Sequence, residues 1–168
     1  VYPHSVIPWM NSDPMLDLDL PKVAKIIRKH LNSVIYISTN GVSYGNRHLL
    51  VNPAFYEVSF TISAPPNNPD LYERVHGKRL LNQALKTLYW FDENKCWNQN
   101  TQVRYVLYPP NAFALGDWQK AFSRFQQDIR CLHHSSEQTQ SVCLEAENAL
   151  LEHDRKIHED YYIRIQFP

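Results

Sequence analysis

NPAFYEVSFTISAPPNNPDLYERVHGKRLLNQALKTLYWFDENKCWN, residues 52–98, passes from a strand through a proline turn into a long amphipathic helix. Tyr56, Val58, Phe60 and Ile62 alternate with Glu57, Ser59 and Thr61, the period-two pattern of a strand with one buried face. Pro65 and Pro66 stop that strand, and Asn68-Pro69 supplies an N-cap and a first helical residue. Leu71, Val75, Leu81, Ala84, Leu85 and Leu88 then recur on one side of a helix. Gly77 inside it costs about 1 kcal/mol relative to Ala, so it permits close packing or marks a break. The stretch specifies architecture but carries no nucleophile motif, metal cage or phosphate loop, which points to a protein that works by presenting surfaces.

Upstream, Pro3, Pro8 and Pro14 interrupt Val6, Ile7, Trp9, Met10, Met15 and Leu16, a pattern too broken for a helix and too apolar for a solvated tail. Residues 1–20 therefore read as an extended arm that docks on this domain's own core or on a neighbouring subunit, and residues 21–168 as a single domain. A helix begins at Pro21 after Asp17 and Asp19, with Val23, Ile26, Ile27 and Leu31 on its apolar side and Lys22, Lys25, Arg28 and Lys29 on the other. SVIYIST (33–39) is a strand, and Asn40-Gly41 after it is a strong hairpin signal, with Arg47–Val51 as the returning strand.

Downstream, TQVRYVLY (101–108) is a strand stopped by Pro109-Pro110. Leu115, Trp118, Phe122, Phe125, Ile129 and Leu132 keep a spacing of three and four, which predicts one long helix. The polar run 133–141 loops out before a further helix carrying Val142, Cys143, Ala146, Ala149, Leu150 and Ile157, and DYYIRIQF (160–167) closes the chain as a strand. The expected order is α-β-β-β-α-β-α-α-β: an α+β fold, a mainly antiparallel meander with helices largely on one face.

Composition narrows function by exclusion. Seventeen Lys and Arg balance seventeen Asp and Glu, so no global field attracts a phosphate backbone or an anionic membrane. Cys96, Cys131 and Cys143, an odd set without C-x-x-C spacing, suit reduced thiols and a cytoplasmic setting. No stretch approaches the roughly 20 apolar residues of a membrane span.

His153, Asp154, His158, Glu159 and Asp160 are metal-ligand types, but a separation of five between the histidines makes them diverge on a helix; His133, His134 and Glu137 near Cys131 are equally irregular. No metal and no cofactor is expected. Lys22, Lys25, Arg28 and Lys29 lack the interleaved aromatics of a nucleic-acid surface, and a nucleic-acid adaptor is a lesser alternative. Pro69-Asp70 with Glu93-Asn94-Lys95 matches the residue types of the PD-(D/E)xK nucleases, which makes a Mg²⁺-dependent nuclease using Asp70, Glu93 and Lys95 the enzymatic alternative; a helix filling the interval argues against convergence.

LPKVAKIIRKHL, NPAFYEVSFTISA, the helix ending LKTLYWF, VRYVLY followed by ALGDWQKAFSRF, and the closing YYIRIQF together resemble the tail-terminator, or sheath-cap, proteins of contractile phage tails and related injection systems. That resemblance implies a small α+β subunit in a hexameric ring, without catalytic residues. The insert 133–140 and the helix after it depart from the pattern. The expectation is a non-enzymatic structural or adaptor subunit with protein partners, a homo-oligomer contacting them through Val6, Ile7, Trp9, Met10, Tyr162 and Arg164.

Overall fold

The computed structural model describes residues 5–8, 12–31, 33–131 and 163–166, and of Pro109, Cys131 and 163–166 the backbone alone. In chain order the elements are β1 (Ser5–Val6), α1 (Leu20–Leu31), β2 (Val34–Thr39), β3 (Phe55–Thr61), α2 (Pro69–His76), α3 (Leu81–Asn94), β4 (Asn100–Leu107), α4 (Leu115–Ala121), β5 (Gln126–Cys131) and β6 (Ile163–Gln166), with 3-10 helices at Pro14–Leu16, Tyr44–Leu50 and Pro109–Ala114. β1, β2 and β3 are neighbours in chain order, and so are β5 and β6. β1 pairs with β2, β2 with β3, and β5 with β6, each in parallel. The fold is therefore of the α/β kind, and the antiparallel α+β meander expected from the sequence is overturned.

The connection after β2 shows why. A parallel neighbour needs a crossover of about a dozen residues, where a hairpin needs two. Gly41 does adopt the left-handed φ of +71° that an Asn-Gly turn uses. The chain then continues through the Tyr44–Leu50 3-10 helix, where a second strand was expected, and reaches β3 only at Phe55. Asn40 Oδ1 accepts the Val42 amide, a local turn that does not reverse the strand.

The chain forms two compact units, Val1–Thr61 with Leu80–Gln102 and Ile62–Arg79 with Val103–Pro168. In the first, Ile35, Ile37, Phe55, Val58 and Phe60 are buried together with Leu20, Ala24, Ala84, Leu88 and Phe91 of the helices. The Phe60 and Phe91 rings meet at 5.6 Å. Tyr56, expected in the buried row, is instead 47% exposed, and Phe55 is buried. The ladder explains the exchange: Ile35 faces Phe55 but Tyr36 faces Glu57, so Tyr56 is an extra residue on β3. Such a bulge lets Phe55 join the apolar row while Tyr56 turns out.

The arm is part of this unit. Val6 pairs with Ile35 of β2, and Met15 is fully buried. Asp13 accepts from the Met15 amide at 2.9 Å, the Thr39 hydroxyl at 2.8 Å and the Asn40 amide at 2.8 Å. One carboxylate thus caps the first 3-10 helix and ties it to the end of β2.

In the second unit, Asn68 caps α2 by accepting the Leu71 amide, as the sequence indicates, and Gly77 ends it at φ +74°. Gly77 is thus a break, and α2 and α3 are separate helices. The long aromatic helix expected over 115–132 is likewise two elements: α4 stops at Ala121 and β5 carries Ile129. Trp118, Phe122, Phe125 and Ile129 are nevertheless all buried. The Trp118 ring lies 5.0 Å from Tyr105 and 5.4 Å from Phe122. Its indole donates to the Ile62 carbonyl at 2.7 Å. The expected loop at 133–141, the helix over 142–157 and the histidine clusters lie outside the described residues; the closing strand is present as β6.

Candidate functional site

Parallel sheets are covered on both faces, and their strands ordinarily read as near-continuous apolar runs. These strands do not. In the first unit the register sets Tyr36 beside Glu57 and Ser38 beside Ser59, on the face opposite Ile37, Thr39, Val58 and Phe60. Glu57 is 9% and Ser59 2% exposed, while Tyr36 and Ser38 are half-buried. The Ser59 hydroxyl is buried with no hydrogen-bond partner. A buried hydroxyl without a partner costs free energy that an apolar residue would not, so the presence of Ser59 is not explained by stability.

The second unit shows the same departure. Arg104 of β4 lies on the face opposite Tyr105, and Asp128 and Arg130 of β5 on the face opposite Ile129. Asp128, 2% exposed, accepts on Oδ2 from Arg104 Nε at 2.6 Å and from Arg130 Nε at 3.0 Å. Its Oδ1 is buried without a partner. Two guanidinium groups thus share one carboxylate oxygen.

At the carboxyl ends of β3 and β4, Asn111 is completely buried and organises the loops. Its amide donates to the Ser63 and Val106 carbonyls at 3.1 and 3.0 Å, and its Oδ1 accepts the Tyr108 amide at 2.7 Å. The Tyr105 hydroxyl donates to the Asn111 carbonyl at 2.7 Å, and burial pushes that phenol's pKa up. His76 Nε2 accepts the Ser63 amide at 3.3 Å, its ring stacked 4.1 Å from Tyr72. Burial lowers the His76 pKa to about 4. The imidazole is therefore neutral at physiological pH, with its proton on Nδ1.

Of the residues of the nuclease alternative, Asp70 and Lys95 are engaged in other pairs. Asp70, on α2 in the second unit, pairs with Arg79 at 2.9 Å, both well exposed. Lys95, in the first unit, donates to Asp92 and to Thr101 Oγ1, each at 2.8 Å, and Glu93 is exposed on α3. Among the described residues no group of three or more His, Cys, Asp and Glu is placed to hold a metal ion. Of the basic stripe, Lys22 pairs with Asp19 at 2.7 Å and Arg28 donates to the Ser33 carbonyl at 3.0 Å. Of the expected partner contacts, Val6 is half-buried on β1 and Ile7 is 51% exposed. Trp9, Met10, Tyr162 and the Arg164 side chain lie outside the described residues. Among the described residues no helix is long and apolar enough to cross a membrane.

Sequence reasoning passed over Asp128 and Arg130 because QQDIRC was absorbed into a helix. The available signal was its alternation, polar Asp128 and Arg130 about apolar Ile129. The chain matches no family model and no curated protein.

Proposed function

We propose that this protein is a ligand-binding α/β domain that receives a small polar molecule against the polar face of its sheet. The observation that carries the reading is the Glu57 and Ser59 pair, polar and buried on a parallel strand whose other face is ordinary core. Parallel strands joined by crossovers place sites in the loops at the carboxyl ends of the strands. Here those ends carry the Asp13–Thr39–Asn40 cluster in one unit and the Ser63–His76–Asn111 cluster in the other.

Ser59→Ala tests the role of the face. It removes an unpartnered buried hydroxyl without adding bulk, so the melting temperature should hold or rise. The thermal shift produced by a panel of amino acids, organic acids, sugar phosphates and nucleotides should shrink in the variant, the opposition expected where function costs stability. If no compound shifts the wild type, or if the shifts survive the substitution, the reading falls.

A second reading, a non-enzymatic structural or adaptor subunit of the ring-forming, tail-terminator kind, is favoured by Trp97, which is 98% exposed. Large aromatic residues are enriched at interface centres. Light scattering that returns a monomer at high concentration would remove the ring.

A further inference from the structure

Arg47 is a cation held by rings. On the Tyr44–Leu50 3-10 helix, its guanidinium carbon lies 4.0 Å from the centre of the Tyr44 ring and 4.7 Å from that of Trp90 on α3. Nη1 donates to the Tyr44 carbonyl at 3.0 Å, while Nε is buried with no hydrogen-bond partner. Among the described residues no carboxylate pairs with this half-buried arginine. A guanidinium stays charged at any physiological pH and offers a planar fork of N–H donors. The rings hold that plane by cation–π attraction but leave its donors unmet, so Nη2 and the second Nη1 hydrogen form a fixed edge without an acceptor. Stability alone would be better served by a side chain that orphans no charged donor. Lys86, exposed one turn before Trp90 on the same side of α3, adds a second cation, and Glu93, exposed a turn beyond Trp90, confines the positive field to the Lys86 end.

We propose that the Tyr44–Arg47–Trp90 stack binds a small oxyanion, the carboxylate or phosphate group of a ligand, whose oxygens accept from the open Nη edge of Arg47. The site goes beyond the polar face of the sheet and is separate from it: α3 packs on the Phe60 side, and Ser59 points to the other. A nucleic-acid strand fits less well, because it needs a row of cations and free aromatic faces, whereas these rings already face Arg47.

Amide and indole ¹H–¹⁵N NMR spectra test this at low ionic strength, titrated with inorganic phosphate, with acetate and with chloride at matched ionic strength. The Trp90 indole signal, identified by its loss in Trp90→Phe, is expected to move saturably with phosphate or acetate and not with chloride; which of the two binds more tightly identifies the group. Arg47→Gln should weaken binding about tenfold or more, the equivalent of one charge-assisted hydrogen bond. Arg47→Lys keeps the charge beside the rings and loses the fork, so it should still fold and bind severalfold more weakly than the wild type. No saturable shift in the wild type, or the same affinity in either Arg47 variant, overturns the proposal. Ser59→Ala should leave the Trp90 shift intact; its loss there would assign the anion to the polar face and overturn a separate site, whereas failure of the Ser59 reading leaves this site standing.

Discussion

Gly41 sits where any side chain would meet Phe60: a Cβ built on it would lie 3.1 Å from Phe60 Cδ1 and 3.4 Å from the Cα and carbonyl oxygen of Ala84. Thr87 fixes the same point by donating to the Gly41 carbonyl at 2.5 Å. Gly77 has nearly the same φ, +74°, but open space around its Cβ position. The pair separates backbone strain from crowding. Gly77→Ala should cost about 1 kcal/mol, and Gly41→Ala about 1–3 kcal/mol more from overpacking. Urea denaturation of the two variants checks this; equal losses would mean that the approach to Phe60 is not tight.

How much of this was legible in the sequence depended on the range of the interaction that decides each feature. Asn68 and Pro69 announced the start of α2 correctly, because a cap is a contact within one turn. Asn40-Gly41 announced a positive φ correctly and a hairpin wrongly. The dipeptide fixes one turn, but strand direction is fixed by where residues 42–54 pack. The spacing of Leu115, Trp118, Phe122, Phe125 and Ile129 marked core residues rightly and a single helix wrongly. A helix and a strand joined by a turn can supply buried residues to one core at the same intervals. Glu57 and Ser59 read as a solvated face, since alternation shows two faces without saying that both are covered.

His76 gives stability a pH dependence. Its folded pKa, about 4, lies below the ordinary 6.5, so the unfolded chain takes up a proton at this site before the folded one does. The contribution of the neutral imidazole is complete above pH 6.5, falls as pH drops through the interval from 6.5 to about 4, and changes no further below it. The loss at the bottom of the interval is on the order of 3 kcal/mol. His76→Gln retains a side-chain acceptor for the Ser63 amide but cannot titrate, and should flatten that part of the profile. Denaturation midpoints at half-unit steps from pH 7.5 to 4 that decline equally in both proteins would assign the acid sensitivity to other groups.

Phe122 anchors the aromatic row of the second unit, lying between Trp118 at 5.4 Å and Phe125 at 6.3 Å, and it is fully buried. It follows the last residue of α4, and its amide donates to the Trp118 carbonyl at 3.0 Å, so its ring reaches the core from the end of a short helix. Phe122→Ala should cost about 3–5 kcal/mol through lost burial and the cavity left between two rings. That is a large part of the roughly 5–15 kcal/mol that holds a domain together, so the variant should melt far below the wild type or not fold. Phe122→Leu keeps most of the volume and should cost well under half as much. If the alanine variant loses less than about 0.5 kcal/mol, the range of ordinary surface substitutions, Phe122 does not hold this core.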